Sequence, residues 1–506
     1  MKTALVGIVK NEEHDILYWL AWHALLGVDS FILFDDDSDD GTRDLIAAAS
    51  VHWDIRLFHI REHSLDLTNQ GFVDRQKQVY LDALTAMSGQ HFDWVGFLDT
   101  DEYVRLDNHA SLPEFLGSLP DDAGAVALHW QVYGHNDLIS TPSLPPSHSF
   151  SRHSTAEEPI NRHVKSFIRP ACWDKGKWVN VHYFELKKGR YVTASGAPVT
   201  WSPTPGITAE PPDWSIAYLM HFQRRSLEQF VKRALIRKDL QLSLGDHRLT
   251  QWNEIEDPSP REKTADVLRW VKPIIMTGAM TALEGIRRQH PPVSGLTPPP
   301  SRQKPTGFRI FSLHPKDARH LGVSGGILHD TGQADQQSHD FQLFLLQSLK
   351  HREAAFLFGL DGSDRIQDFF ILRDGRLTGL PRYDILPVVE QSAIALRQRG
   401  GQGHFLCSPP KEPLTPDRLK AGLWECFLSI PQETTPSGGS WLNVPALNML
   451  EMALTPSSFT LGNITALTAI DREATVWLLP FLALHLETLQ YKELRSHLGA
   501  LAPFIL

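Results

Sequence analysis

Acidic side chains gather at two points of the sequence, each time directly behind a short apolar run. The stretch GFLDTDEYV at 96–104 carries Asp99, Asp101 and Glu102 within four positions. The stretch DDDSDDGT at 35–42 carries five aspartates within six positions. Oxygen ligands at this density are typical of sites that bind a hard cation.

The spacing of Asp99 and Asp101 favours a divalent cation. Alternation along an extended chain projects both carboxylates in the same direction. Two like charges so placed raise each other's pKa unless a cation lies between them. Mg²⁺ and Mn²⁺ prefer carboxylate oxygens and also accept phosphate oxygens. We therefore expect Mn²⁺ or Mg²⁺ at this pair; a solvated turn that carries acids by chance is the alternative.

The aspartates at 35–42 strengthen the prediction of a binding site. As an EF-hand loop the stretch fails, because with Gly41 at the sixth position the bidentate acid would fall on Ala47. Capping a following helix needs only one acid. Ligands of parallel sheets bind beyond the carboxyl ends of the strands, which is where both acidic segments lie.

The elements that position these acids alternate in the α/β manner. We predict strands at 3–9, 30–34, 55–59 and 94–98, and helices at 15–26, 43–49 and 73–87. Strands that alternate with helices at this spacing predict a parallel, Rossmann-like sheet. A further helix is expected at 226–240.

The length of 506 residues predicts more than one domain. Residues 287–307, rich in Pro among Ser, Thr and Gly, form the best linker. We expect an α/β domain at 1–286 and a separate α+β domain of unassigned role at 308–506. Within the latter, 341–349 and 476–489 are predicted to be buried helices.

Composition narrows the classes of partner. The formal net charge is −10 and the Lys and Arg residues are dispersed, so nucleic acid is not an expected partner. Three widely spaced cysteines suggest a reducing compartment. The N-terminal apolar run is too short for a signal peptide. We expect a cytoplasmic protein, and peripheral membrane contact stays open.

The segments KNEE at 10–13, DDDSDDGT at 35–42 and DTDEY at 99–103 follow the first, second and fourth predicted strands, and this order resembles the GT-A glycosyltransferases of family 2. The closer resemblance is to family-2-like bacterial proteins related to glycosyltransferase family 92. That closer resemblance adds WQVYG at 130–134, HVKSFIRP at 163–170 and HFQRRSLEQF at 221–230, in the same order over residues 1–240.

The resemblance implies a GT-A nucleotide-sugar-binding domain and a metal-dependent transfer of a hexose from a nucleoside-diphosphate sugar. It implies that His221 completes the metal shell around Asp101, with Asp99 as a second ligand or a contact to the donor. The acids after the first two strands, Glu12, Asp35 and Asp36, become candidates for holding the nucleoside. A carboxylate can accept the imide N–H of uracil, so a UDP-linked donor is expected.

Two basic residues are candidates for the donor phosphates. Arg75 opens the helix that leads to the Asp99 strand, and Lys165 lies in the HVKSFIRP segment. A surface salt bridge is the alternative for each. The expected acceptor is a glycan or a lipid-linked glycan of polysaccharide biosynthesis.

An inverting transfer needs a base that takes the proton of the acceptor hydroxyl. Asp137, His182 and Glu185 are candidates among which the residues themselves do not choose, and the resemblance leads us to prefer Asp137. Its segment, His135-Asn136-Asp137, replaces the Ser-Ser-Gly-His that the family usually has where it faces the acceptor.

Two other functions stay open. A Mg²⁺-dependent phosphatase of the haloacid dehalogenase type also has a strand that ends in Asp-x-Asp, with Asp99 as nucleophile. That family usually has Thr or Val at the position of Tyr103, and its motif follows the first strand rather than the fourth. The other alternative is a catalytically silent protein that binds sugar nucleotides.

Overall fold

The chain divides into two compact units, Met1–Ile274 and Ile275–Leu506. The computed structural model describes residues 1–60, 72–87, 92–236, 251–299, 304–317, 319–332, 341–374, 376–388, 393–399, 403–455 and 458–506. The expected limits at 286 and 307 stay predictions. The end of the expected helix at 226–240 lies outside the described residues.

The first unit begins with the predicted alternation of strands and helices. Its first elements are β1 (Thr3–Val9), α1 (Ile16–Leu25), β2 (Ser30–Asp35), α2 (Thr42–Ala49), β3 (Asp54–His59), α3 (Phe72–Met87) and β4 (Trp94–Phe97). The strands β3, β2, β1 and β4 lie side by side and parallel in that order. The predicted α/β class and the Rossmann-like sheet are confirmed.

The sheet continues beyond β4 with strands from later in the chain. These are β5 (Glu102–Leu106), β6 (Ala123–Val132), β8 (Val164–Ile168), β11 (Arg190–Val192) and β12 (Ala217–His221). The order of the sheet is β3-β2-β1-β4-β8-β6-β12-β5, with β11 on β6. β8 is antiparallel to both β4 and β6. Therefore β8 and β12 carry residues distant in sequence to the neighbourhood of β4.

The other elements of this unit surround the sheet. They are α4 (Leu112–Ser118), α5 (Pro146–Ser149), β7 (Arg152–His153), β9 (Trp173–Asn180), β10 (Tyr183–Leu186), α6 (Leu227–Ile236), β13 (Ile255–Glu256) and the start of α7 (Thr264–Gln289). Along β1, β2 and β4 every residue is buried. Strands covered on both faces are expected to be continuously apolar, as these are.

The second unit contains a mostly antiparallel sheet followed by helices. Its strands are β14 (Phe308–Pro315), β15 (His320–Ser324), β16 (Ile327–Gly332), β17 (Gln342–Ser348), β18 (Ala354–Leu360), β19 (Ile366–Gln367), β20 (Arg382–Val388), β21 (Ala393–Gln398), β22 (Phe405–Cys407), β23 (Thr415–Arg418) and β24 (Cys426–Pro431). The helices are α8 (Pro445–Leu454), α9 (Leu461–Thr468), α10 (Arg472–Ala483) and α11 (Thr488–Leu498). The separate C-terminal α+β region is confirmed.

The predicted helix at 341–349 is wrong, because that segment forms β17, a central strand between β14 and β18. A short apolar run fits a fully buried strand as well as a buried helix, and periodicity cannot separate the two. The predicted helix at 476–489 corresponds to the end of α10 and the first residues of α11. Across the described ranges no helix is both long and apolar enough to cross a bilayer.

The centre of the first sheet leaves no room for a side chain at Gly96. Gly96 on β4 pairs with Phe167 on β8, and a Cβ at position 96 would lie 2.7 Å from both Cδ1 and Cζ of the Phe167 ring. We predict that Gly96→Ala lowers the free energy of unfolding by about 1–3 kcal/mol through overpacking.

Chemical denaturation of the full chain measures this effect, and Gly117→Ala is the matched control. Gly117 is exposed near the end of α4, where a Cβ would meet only Met1 Cε at 3.5 Å. Equal stability of the two variants would contradict the packing of β4 against β8.

Candidate functional site

The acidic segments lie at one edge of the first sheet, beyond the carboxyl ends of three neighbouring strands. Val9 at the end of β1 pairs with Asp35 at the end of β2, and the amide of Asp36 donates to the carbonyl of Val9 (2.8 Å). β4 runs parallel to β1 on its other side, so Asp99 and Asp101 follow a strand that ends at the same edge. The fold thus gathers acids that are up to 89 residues apart in the sequence (Glu12 to Asp101).

Asp101 is buried and has two partners from the segment that ends β12 and forms α6. Its Oδ2 accepts from Nη1 of Arg233 (2.7 Å), and its Oδ1 lies 3.5 Å from Nε2 of His221. Burial by itself would raise the pKa of the Asp101 carboxyl, but Arg233 and His221 outweigh it and hold that pKa well below its usual range. Asp101 is therefore ionised at neutral pH.

His221 ends β12 and lies in register with Glu102 of β5 and Val132 of β6. The Trp130 ring packs against the imidazole, with centroids 4.4 Å apart. Its Nδ1 is buried, and within the described residues it has no hydrogen-bond partner. The ring is thus held by packing and by the Asp101 carboxylate.

Asp99 has a different set of partners from Asp101. Its Oδ2 accepts from Nζ of Lys165 (2.9 Å) and its Oδ1 from Nε2 of Gln76 (2.7 Å). Lys165 on β8 is fully buried. Burial would lower the pKa of this ammonium, but Asp99 and Glu102 raise it well above the usual range, so Lys165 stays charged.

Glu102 supports the turn that carries the two aspartates. Its Oε2 accepts from the backbone amide of Asp99 (2.8 Å) and lies 3.4 Å from Nζ of Lys165. Its Oε1 is buried and lacks a hydrogen-bond partner in the part of the chain that the structure describes. Burial raises the pKa of Glu102 to about 7, against the opposing effect of Lys165.

The acids at the ends of β1 and β2 also have cationic partners. Asp36 accepts two hydrogen bonds from Arg75, Nε to Oδ1 (2.9 Å) and Nη2 to Oδ2 (2.6 Å). Asp35 accepts from the amide of Ser38 and lies 3.7 Å from Nε of Arg43. Arg75, which we expected to contact the donor phosphates, is therefore bound to Asp36, which we expected to contact the nucleoside.

Glu12 is held by Arg225, a residue that the sequence interpretation did not single out. Nη1 of Arg225 lies 2.8 Å from Glu12 Oε2 and 2.9 Å from Asp15 Oδ2. Arg225 has a φ of 51°, in the left-handed region that is unusual for a residue with a long side chain. Burial raises the pKa of Glu12, opposed by Arg225. Backbone in this region tends to persist where the surroundings require it, often at binding sites.

The structure thus adds Arg225 and Arg233 to the residues expected at the site, along with Gln76 and Asp15. Arg225 lies in the HFQRRSLEQF segment and Arg233 shortly after it. The adjacent basic residues Arg224 and Arg225 were the available sequence signal. The acid that each arginine contacts depends on the position of β12 in the sheet. That position cannot be predicted from spacing along the chain.

The three candidate bases have distinct surroundings. Asp137 is 74% exposed and pairs with Arg152 (Nη1 to Oδ2, 2.9 Å). Nδ1 of His182 contacts the carbonyl of Val164 (2.9 Å), and burial lowers the pKa of His182 to about 3. Glu185 accepts a long hydrogen bond from the Tyr183 hydroxyl (3.4 Å). The catalytic role of Asp137 stays a prediction.

The side chains around Asp101 provide only part of the ligand set that a divalent cation needs. Among the described residues no group of three or more His, Cys, Asp or Glu side chains is arranged to hold a metal ion. Asp101 and His221 do come together; a carboxylate suits Mn²⁺ or Mg²⁺, and the imidazole offers one further nitrogen donor. Ions of this kind are commonly held by one or two protein ligands together with substrate phosphates. The two residues therefore fit a cation that is shared with a phosphate-bearing ligand.

Comparison with known proteins finds relatives for the first half of the chain. The model of glycosyltransferase family 92 matches residues 7–254, which confirms the predicted relation. A glycosyltransferase family 92 protein of Arabidopsis thaliana is 27% identical over 189 residues, covering 35% of this chain and 30% of that protein. One of Ricinus communis is 27% identical over 196 residues, covering 36% and 31%. The chain thus spans under a third of the length of these relatives.

Solved structures show only slight overall likeness. Glucosyl-3-phosphoglycerate synthase from Mycobacterium tuberculosis, in complex with Mg²⁺ and UDP, has a TM-score of 0.21 and 16% identity and covers 34% of this chain and 57% of its own. TarS 1-349 of S. aureus with UDP-GlcNAc has a TM-score of 0.26 and 12% identity, with coverages of 57% and 88%. At these TM-scores the likeness adds no argument.

The raised pKa of Glu102 predicts a specific pH dependence of stability. Between the ordinary glutamate pKa of 4.5 and the folded value of about 7, the folded state holds a proton that the unfolded state has released. Stability from this group therefore falls as pH rises through that window. We predict that the free energy of unfolding of Glu102→Gln, relative to wild type, rises by about 1–3 kcal/mol from pH 5 to pH 8.

Urea denaturation at several pH values measures this difference. The control is Glu210→Gln, which removes an exposed carboxyl and should leave the pH profile of the wild type unchanged. If Glu102→Gln and the wild type have parallel profiles, Glu102 is not protonated in the folded protein at pH 5–7.

Proposed function

On the premise that residues 7–254 form a glycosyltransferase family 92 domain, we propose that this domain transfers a hexose from a nucleoside-diphosphate sugar with a divalent cation, Mn²⁺ or Mg²⁺, at Asp101 and His221. The observation that carries the proposal is the meeting of a buried, ionised Asp101 with His221 beyond the end of β4. A carboxylate held there faces the edge at which parallel sheets bind phosphate-bearing ligands.

The chain's own residues would prepare the site for the departing diphosphate. A bound cation would supply electrostatic stabilisation of the charge that develops on it. Asp101 and His221 would hold that cation. Lys165 and Gln76 fix the Asp99 carboxylate, which suits Asp99 to contact the donor ribose or sugar or to act as a further ligand.

The donor that we propose is UDP-linked. Glu12, Asp35 and Asp36 follow the two strands beside β4 at the same edge, which supports a nucleoside-binding role for them. Arg75 is placed by its two hydrogen bonds to Asp36, so its role in donor binding would be to orient that acid.

We propose that the reaction inverts the configuration at the anomeric carbon of the transferred sugar, with Asp137 as the base. Its carboxylate is 74% exposed although it pairs with Arg152 (2.9 Å), and this exposure supports access by an acceptor from solution. The proposed acceptor is a glycan or a lipid-linked glycan. The cytoplasmic location of the reaction is a proposal as well.

The family match supports this function over a phosphatase of the haloacid dehalogenase type. The remaining alternative is a domain that binds the donor without turnover. Donor binding without release of UDP across a broad panel of acceptors would favour that alternative.

The first test is donor binding. We predict that UDP together with Mn²⁺ raises the melting temperature of the wild-type full chain, and that Asp101→Asn removes most of the shift because a neutral amide is a poor ligand for Mn²⁺. Differential scanning fluorimetry measures both effects.

The matched control is Asp122→Asn, which neutralises an exposed carboxylate paired with Arg190 in the same unit. It should keep the full shift. The proposal is wrong if UDP and Mn²⁺ leave the melting temperature of the wild type unchanged, and the assignment of Asp101 is wrong if Asp101→Asn keeps the shift.

A further inference from the structure

The ion pair between Asp101 and Arg233 joins a fixed residue to one that can move. Asp101 is buried in the turn between β4 and β5, and its carbonyl accepts from the amide of Phe222 (2.8 Å). Arg233 lies on α6 with its side chain 37% exposed. Besides Asp101 it contacts only the carbonyl of Gln223 (3.3 Å) among the hydrogen bonds of the described residues. Its guanidinium can therefore leave Asp101 toward solvent, while Asp101 stays in place.

Arg233 and a divalent cation would compete for the same carboxylate. Nη1 of Arg233 lies 2.7 Å from Oδ2 of Asp101, and a Mg²⁺ or Mn²⁺ ligand distance is about 2.1 Å. Two cations on one carboxylate would repel each other strongly in a buried environment. With neither present, the buried Asp101 would lose its 2.7 Å ion pair and keep the imidazole of His221 and the more distant charge of Arg225, which is costly for a buried carboxylate. Arg233 holds Oδ2 of Asp101 and His221 faces Oδ1, so a cation bound by Asp101 and His221 would compete with Arg233 for the charge of the same carboxylate.

A guanidinium displaced from Asp101 remains tethered to α6 beside the site. If Asp101 and His221 hold a cation that also neutralises the donor diphosphate, the phosphate oxygens would lie within reach of this guanidinium. The planar guanidinium forms paired hydrogen bonds with phosphate as well as with carboxylate. Arg225 cannot make this exchange, because it is buried between Glu12 and Asp15.

We propose that Arg233 neutralises Asp101 in the free protein and passes to the donor diphosphate when a divalent cation binds Asp101. The inference rests on the proposed function and adds one exchange of partners to it. Arg233 is then both a competitor of the cation and a ligand of the donor, two effects of opposite sign.

Arg233→Gln tests both effects in the full chain. Mn²⁺ binding without UDP, followed by electron paramagnetic resonance, should become about tenfold tighter because the competing charge is gone. UDP binding at saturating Mn²⁺, followed by calorimetry, should become about tenfold weaker because a charged hydrogen bond to phosphate is lost. The melting temperature without ligands should fall, and Mn²⁺ should restore it.

Lys232→Gln is the matched control, since it removes a positive charge from the residue that precedes Arg233 on α6. Lys232 pairs with Glu228 there. It should change each dissociation constant by less than about twofold. Arg233→Lys retains the charge and should bring Mn²⁺ affinity back toward that of the wild type. This variant also keeps the test decisive if Arg233→Gln folds poorly.

The outcomes separate the inference from the proposed function. Weaker binding of both Mn²⁺ and UDP to Arg233→Gln would mean that Arg233 only supports the structure, and the inference would be wrong. Unchanged Mn²⁺ and UDP affinities would also overturn it while leaving the proposed function intact. Failure of the wild type to bind UDP with Mn²⁺ would overturn the proposed function, and the inference with it.

Discussion

Buried carboxylates at the edge of a sheet need positive partners, and this requirement shapes the candidate site. An ionised acid away from water is strongly destabilising unless a cation and hydrogen bonds compensate it. Each acid-bearing strand end here has such a cation. The pairs are Asp101 with Arg233, Asp99 and Glu102 with Lys165, Asp36 with Arg75, and Glu12 with Arg225. The polar edge is therefore a network of ion pairs rather than a set of free acids.

The acids could be predicted from sequence, whereas most of their partners could not. Strands β1, β2 and β4 have clear apolar patterns, and the acids lie at or shortly after their ends, so local sequence contains both the strands and their polar ends. Lys165 and Arg75 were recognised as basic candidates but were expected at the donor phosphates. Arg225 and Arg233 were missed because they meet their acids only after β12 takes its place in the sheet. That placement is a property of the whole sheet and has no local signal.

Glu102 shows how burial assigns a role that spacing obscures. Alternation places it apart from Asp101, so a common metal site did not explain it. In the structure its carboxylate accepts a hydrogen bond from the amide of Asp99 and shares Lys165 with that residue, which fixes the turn that presents both aspartates.

The second unit shows the opposite case: 341–349 is apolar enough for a buried helix, yet neighbouring strands make it β17. The family match covers residues 7–254, so it assigns no function to the second unit.

The proposed function and the exchange of Arg233 both depend on where a divalent cation binds. Crystals of the full chain grown with UDP and Mn²⁺ and measured at the manganese absorption edge would locate that ion directly. We predict an anomalous peak about 2.1 Å from a carboxylate oxygen of Asp101, close to the diphosphate, with Arg233 no longer on that carboxylate. A manganese peak elsewhere, with the Asp101–Arg233 pair intact beside bound UDP, would contradict it.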